Sequence, residues 1–403
     1  MTPNSKSKTF SMSTTAAATT RDTKLGEASS LERNNVKNQT TASHTNRRMC
    51  CFLRSTFLCL AIVGLFVARY PKFIDHNTHS EGEIVAKFDD TIVAPLTPEV
   101  ETLQGRKHYF MLPPANATAD GNPKGILLYL HSCNQFGWEF FILPEHRIIA
   151  NNAILKGFVV LSPTPYDRKS RCYTSVDANG FMEKVVNEFV DKYGLRRLPR
   201  VGLGDSSGGA FLPFVSKVLK LESIAVYNSP QSYSNIDNQE EVAIPTVYLS
   251  MSSDSSISNR MNINKIKLQE MNIPSFLYRV SPRPFTEPLC NARLPEIDFC
   301  ERIIEMIQKD YSNLIDADGF VLEGDLEAAQ WQHFFNKLDL EYEIGCPTVV
   351  PKYQMKKSCL RLILEQEIQT CYGFHSMTAQ YHDEIIEFLM SNSKMEPSEH
   401  TPI

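Results

Sequence analysis

The pentapeptide Gly204-Asp205-Ser206-Ser207-Gly208 constrains this chain more than any other stretch. It has the form G-x-S-x-G. A short, mainly apolar run, Arg200-Val201-Gly202-Leu203, leads into it, and a small-residue helix start, Gly208-Gly209-Ala210-Phe211-Leu212, follows. A serine on so tight a turn between strand and helix points its hydroxyl out of the fold. Small flanking residues let the two backbones pass that closely. The helix start then offers free N–H groups and the positive end of its dipole to an anion formed beside it. The pentapeptide alone is a weak signal, because small-residue turns are common; the strand before it and the helix after it give it weight.

A serine hydroxyl is a poor nucleophile near neutral pH. It needs a base to take its proton, a group to orient that base, and donors for the oxyanion. His375, on a loop after Gly373-Phe374 and ahead of a terminal helix, is the candidate base. Asp254, four residues beyond the strand-like run 246–250, is the candidate acid. The plainer alternatives are a capping histidine and a turn aspartate in a Ser-rich loop. Asp205, next to the serine, cannot easily reach the far side of the imidazole. His382 reads as a solvated residue of the last helix, and His131 as part of the oxyanion loop. One oxyanion donor is expected from the backbone N–H of Ser207. The second is expected from that of Cys133, in His131-Ser132-Cys133-Asn134-Gln135. Cys133 is also a candidate disulfide half, with Cys172 a potential mate; both roles can hold, because the donor is backbone.

Two weaker patterns give way to plainer readings. Gly204 to Gly209 echoes the G-D-S-G-G of trypsin-like proteases, but those place histidine and aspartate before the serine on an all-β scaffold. Asp316-Ala317-Asp318-Gly319 resembles part of a calcium loop, but the first ligand position would fall on Leu314; a turn is the better reading.

Strand-like and helix-like runs alternate around the serine. Residues 108–112, 125–130, 158–161, 201–204, 223–227, 246–250 and 275–280 read as strands, and 181–193, 207–221 and 261–271 as helices. That alternation implies an α/β fold: a mostly parallel sheet with helices on both faces, and ligands outside the carboxyl ends of its strands. It stops at Val280. Residues 281–370 are Pro-rich and then mostly helical, as expected of a cap inserted before His375; a last amphipathic helix is expected over 378–390. The core is thus assigned to 106–280 and 371–395, with 396–403 as a tail.

The N-terminal part is different. Residues 1–49 are Ser/Thr/Asn-rich, with eight Lys/Arg against three Asp/Glu, and read as a disordered tail. The whole chain has a net charge of −5, so the body beyond is more acidic still, which argues against a nucleic-acid partner. Residues 50–70 hold the most apolar stretch and read as a signal anchor in a lipid bilayer. Arg47, Arg48 and Arg54 on its N-terminal side favour a type II topology with the large domain lumenal or extracellular. A cleaved signal peptide is the alternative, since the uncharged part, 55–68, has only 14 residues. Residues 71–105 read as a stalk. Seven cysteines lie beyond the anchor, enough for three disulfides with one left over, and Asn116-Ala117-Thr118 is a glycosylation sequon on the same side.

The strand–G-x-S-x-G–helix element and the order Ser206, Asp254, His375 resemble the α/β-hydrolase superfamily over 106–280 and 371–392. Leu130-His131-Ser132-Cys133-Asn134-Gln135 is similar to the L-H-G-C-x-Q element of depolymerase and feruloyl-esterase-like members, and to that of uncharacterised plant and algal hydrolases with an HGC motif. The chain departs from that pattern at Ser132, where those members usually have glycine. The resemblance implies a serine esterase needing no cofactor and acting on a small-molecule or polymeric ester. A peptidase or acyltransferase on the same fold, and a non-catalytic binding module, are the rival readings.

Overall fold

The run Gly125-Ile-Leu-Leu-Tyr-Leu130 becomes strand β3 (Gly125–Leu130), buried along its whole length. The two-residue period of a strand sends Leu127 and Tyr129 into one hydrophobic layer and Ile126, Leu128 and Leu130 into the other. A strand apolar on both sides must be covered on both sides, and the rest of the fold does this. The computed structural model describes residues 93–229, 243–342 and 358–393. The expected tails over 1–49 and 396–403, the anchor over 50–70 and most of the stalk lie outside these residues. Among the described residues, no helix is long and apolar enough to cross a membrane.

The sheet has eight strands: β1 (Glu99–Leu103), β2 (Arg106–Met111), β3, β4 (Phe158–Ser162), β5 (Arg200–Asp205), β6 (Leu221–Tyr227), β7 (Thr246–Met251) and β8 (Ser275–Val280). They lie in the order β1-β2-β4-β3-β5-β6-β7-β8. β1 pairs with β2, and β2 with β4, antiparallel; all other pairs are parallel. Helices α1 (Glu139–Ile142), α2 (Pro144–Leu155) and α10 (His382–Ser391) pack on the Tyr129 side. Helices α3 (Met182–Lys192), α4 (Ser207–Leu219) and α5 (Ser255–Glu270) pack on the Leu128 side. In α3 the buried residues Met182, Val185, Val186, Phe189 and Val190 recur at helical spacing and form one apolar stripe. This strand order, with helices on both faces and a serine turn after β5, is the α/β-hydrolase fold.

Between β8 and His375 stand α6 (Glu287–Arg293), α7 (Cys300–Asp310), α8 (Ala329–Glu341) and α9 (Cys359–Tyr372). They share a separate core that includes Ile303, Ile307, Trp331, Phe334, Leu364 and Ile368. A Cys290–Cys300 disulfide links α6 to α7. The Arg147 guanidinium of α2 bonds both oxygens of Glu296 in this helical block.

Three sequence expectations need correction. Strand β1 occupies residues assigned to the stalk; of its five residues only Leu103 is buried and Val100 is exposed, so this edge strand carries little apolar signal. The last helix starts at His382, not at 378, because Tyr381 sits in the left-handed region (φ 67°) just before it. His382 is buried, with Nδ1 2.9 Å from the Ala379 carbonyl oxygen, not solvated. It opens a helix pressed onto α2 and β6, and first-turn residues face whatever the helix packs on.

Candidate active site

Ser206 follows β5 directly and caps α4 with φ 47° and ψ −112°, a conformation costly for a residue with a side chain. The surrounding backbone holds it there. The Ser206 N–H donates to the Tyr227 carbonyl oxygen (3.0 Å), and its own carbonyl accepts from Ala210 N–H (2.9 Å). The two motif glycines are required by space. A Cβ on Gly208 would lie 1.9 Å from the Leu130 carbonyl oxygen, and one on Gly204 would lie 2.7 Å from the backbone of Gly208 and Gly209. The elbow therefore forms only where strand and helix backbones touch.

His375 reaches the same point from the other end of the chain. Gly373 (φ 72°) ends α9 and turns the backbone, and His375 takes φ 41°. Its Nε2 lies 3.0 Å from Ser206 Oγ, and its Nδ1 lies 3.3 Å from Asp254 Oδ2. Asp254 is the N-cap of α5, where Oδ1 accepts the Ile257 N–H at 3.2 Å. Next to it, Ser253 donates its N–H to the Gly373 carbonyl oxygen and its hydroxyl to that of Tyr372, both at 3.2 Å. The Asp254 loop is thus tied to the His375 loop by backbone as well as by the contact between the two side chains. The side chain of His375 is 36% exposed and that of Asp254 10% exposed, so the carboxylate is shielded while the imidazole stays accessible.

The loop after β3 forms the facing wall. Cys133 lines one cavity of about 670 Å³ with Ser206 and His375. It is also disulfide-bonded to Cys172. Asn134 N–H donates to the Ser170 carbonyl oxygen (2.7 Å), and Arg171 donates Nε–H to the Gln135 carbonyl oxygen (3.0 Å) while lying over the Phe136 ring. Ser207, at the first turn of α4, has a backbone N–H with no intrahelical acceptor. His131 is buried at the end of β3, and burial pushes its pKa down to about 4, so it is a neutral imidazole. Asn116 stands exposed on a single 3-10 turn between β2 and β3. Asp316 closes a turn by accepting the N–H of Asp318 and of Phe320. Cys359 is disulfide-bonded, and the buried Cys371 is free.

Sequence reasoning did not single out Asn228, Glu139 or His146, and it gave Asp205 and Ser132 no structural role. Asp205 is buried beside the elbow, and Ser132 Oγ donates to its Oδ2 at 2.6 Å. Asn228 Nδ2 lies 3.3 Å from Asp205 Oδ1 and 2.7 Å from the Ser376 carbonyl oxygen. Glu139 and His146 line the same cavity as Ser206 and His375. The departure at Ser132 was the one visible signal of the first pair. Glu139 and His146 lie in a mainly apolar stretch that carries no motif. Among the described residues, no cluster of His, Cys, Asp and Glu is arranged to hold a metal ion.

No family model matches the chain, and no curated protein matches it. Among solved structures, TT1662 from Thermus thermophilus is 18% identical with a TM-score of 0.33, over 50% of this chain and 94% of its own. Thermogutta terrifontis esterase 2 phosphoramylated by tabun is 12% identical with a TM-score of 0.33, over 46% of this chain and 83% of its own. A thermostable esterase is 11% identical with a TM-score of 0.35, over 46% of this chain and 55% of its own. The fold assignment stands on the strand order of the chain itself.

Proposed function

We propose that this protein is a serine hydrolase, and most simply an esterase that cleaves carboxylic esters through an acyl-enzyme. One observation carries the reading: a single imidazole, His375, has Ser206 Oγ at 3.0 Å on one nitrogen and Asp254 Oδ2 at 3.3 Å on the other. In this reading Ser206 Oγ attacks the ester carbonyl while His375 Nε2 takes its proton. Asp254 holds the imidazole and stabilises the imidazolium, and the N–H groups of Ser207 and Cys133 receive the oxyanion. His375 then protonates the departing alcohol, and water repeats the cycle on the acyl-enzyme. The scheme calls on no metal or organic cofactor.

A fluorophosphonate probe tests it. Labelling is expected in the wild type, absent in Ser206→Ala and strongly weakened in His375→Ala. Equal labelling of wild type and Ser206→Ala would end the reading and leave a non-catalytic binding module. Ester, thioester and peptide substrates compared on the unlabelled enzyme separate an esterase from a peptidase or acyltransferase.

The same proposal includes location: an anchor over 50–70 with the catalytic domain translocated. The disulfides at Cys133–Cys172 and Cys290–Cys300 support an oxidising compartment, and the exposed Asn116 is open to glycosylation there. Protease treatment of intact microsomes is expected to trim the N-terminal tail and spare the domain; digestion of the domain would overturn the topology.

A further inference from the structure

Two cavities meet at His375. One is lined by Ser206, by Ser132 and Cys133 of the loop after β3, and by Glu139, Trp138 and His146. The other, of similar volume, is lined by His375, Phe374, Tyr372 and Glu323 but not by Ser206. In the proposed reaction the alcohol departs on the side of the base that protonates it, and the acyl group stays on the serine. The first cavity therefore belongs to the acyl group.

Two buried polar atoms in residues that line that cavity are left unanswered by the protein. Trp138 Nε1 and His146 Nδ1 are both buried and have no hydrogen-bond partner. Glu139 is 6% exposed and, among the described residues, makes no ion pair; its carboxyl has the Phe136 backbone as a hydrogen-bond partner, which opposes the effect of burial. Buried polar atoms are nearly always satisfied, so atoms left open beside a reaction centre point to a missing ligand. We propose that Glu139, with Trp138 and His146, forms an uncharged acyl-side subsite that receives a neutral oxygen acceptor, such as a keto or hydroxyl oxygen, on the acyl chain of the substrate. The inference rests on the serine-esterase reading above.

The chemistry agrees with the geometry. Burial pushes the Glu139 carboxyl up to about 8, so at neutral pH it is an O–H donor. Burial also pushes His146 down to about 3, leaving a neutral imidazole. The Trp138 indole can only donate. The titratable and charged groups around Glu139 are Tyr129 on β3, His146 on α2, Arg171 after β4, Asp205 at the end of β5, and Glu365 and His375 across the cavity. Arg171 is the cation that acts on Glu139, and its effect is smaller than that of burial.

The test compares three p-nitrophenyl esters of equal acyl length on the full chain: pentanoate, 4-oxopentanoate and the monoester of glutaric acid. Loss of one hydrogen bond to a buried donor corresponds to about tenfold, so wild type is expected to favour the oxo ester over pentanoate by about that factor in kcat/KM at pH 7. The preference should fall as the pH is raised through 8. In Glu139→Gln, whose amide still donates, it should persist without that fall; in Glu139→Leu it should drop to about one. Should Glu139→Leu not fold, the wild-type pH dependence against the flat Glu139→Gln profile decides. A wild-type ratio near one, or a preference for the glutarate monoester, overturns the subsite. Hydrolysis of all three esters with a ratio of one, while fluorophosphonate still labels Ser206, overturns the subsite alone. No hydrolysis and no labelling overturns both readings.

Discussion

Ser132 Oγ donates to Asp205 Oδ2 across 2.6 Å and so joins the loop that carries Cys133 to the residue preceding Ser206. The second oxygen of the carboxyl faces Asn228 Nδ2, which also bonds the Ser376 carbonyl oxygen next to His375. One buried carboxyl thus touches the three segments that must agree in position for catalysis. Burial raises its pKa, and the Ser132 hydroxyl opposes that rise. Ser132→Ala leaves Oδ2 without its donor, at a cost of about 1–3 kcal/mol. A lower melting temperature and a roughly tenfold lower kcat are expected, with labelling of Ser206 retained. Unchanged melting and unchanged kcat in Ser132→Ala would show that the bond positions nothing.

Asp254 holds two positions at once, and two substitutions separate them. Its Oδ2 faces His375, and its Oδ1 caps α5 through Ile257 N–H. Asp254→Asn keeps a capping oxygen but loses the charge that stabilises the imidazolium; a kcat loss of about 10³–10⁴ is expected with little change in melting temperature. Asp254→Ala removes both and should cost about 1 kcal/mol of stability as well. Thermal melts beside kcat for the pair check the separation, and equal melting of the two variants would refute the capping role.

Gly208 has the least room of any described glycine. The added methyl of Gly208→Ala would start 1.9 Å from the Leu130 carbonyl oxygen, a backbone atom that cannot rotate away. β3 and α4 would have to separate, and with them the loop that carries Cys133. The expected result is loss of both soluble yield and labelling, whereas Gly180→Ala, with open space around it at φ 104°, is expected to keep labelling. Full labelling of Gly208→Ala would mean that the elbow tolerates a wider gap than its geometry implies.

The parallel strands and the meeting of Ser206, Asp254 and His375 were legible because each carries a local signature. β3 is six buried apolar residues in a row, and Ser206 sits in a turn that only a few residue types can make. Asp254 and His375 could be placed because each follows an element end, where side chains point at the carboxyl edge of the sheet. Strand β1 was not legible, since an edge strand with one buried residue looks like a polar linker. Nor was the bond between Ser132 and Asp205, which joins residues 73 positions apart. His382 was misread because amphipathicity locates a buried face only after the helix start is known, and that start depends on the backbone at Tyr381.

Glu145 ties the helical block to the body. Its Oε1 meets Arg283 and Arg293, each at 2.8 Å, while its Oε2 accepts from Thr378 Oγ1 (3.0 Å) and Ala379 N–H (2.6 Å) just beyond His375. Arg283 also bonds Glu367 of α9 at 2.6 Å. Burial alone would push the Glu145 carboxyl up, but Arg283 and Arg293 outweigh it and bring it to about 2. Its pKa is depressed, so its stabilisation is present above about 4.5 and is lost as the pH falls toward 2. Glu145→Ala removes the carboxylate that two buried guanidinium groups share and should cost about 3–5 kcal/mol. Urea unfolding at pH 7 measures this, and a cost below 1 kcal/mol would refute the role.

His108 makes the fold sensitive to acid from above. Its Nδ1 accepts the Thr164 N–H at 2.9 Å, so the ring proton is on Nε2, which donates to the Leu103 carbonyl oxygen at 3.1 Å. A second ring proton would set two donors face to face beneath β1 and β2. Burial pushes the His108 pKa from 6.5 down to about 4. The folded value is depressed, so the unfolded chain binds the extra proton first. The stabilisation from neutral His108 is complete above 6.5 and lost as the pH falls through 4. Each such group contributes a slope of up to about 1.4 kcal/mol per pH unit in that window. Glu139 acts in the opposite sense: its raised pKa gives stabilisation that is lost as the pH rises from 4.5 through about 8. The difference between wild type and His108→Gln cancels Glu139 and isolates His108. Urea unfolding at several pH values between 7 and 4 should show the wild type losing stability more steeply than His108→Gln by up to one proton. Parallel curves would mean that His108 takes up its proton equally in the folded and unfolded chain, against the hydrogen bond it accepts from Thr164.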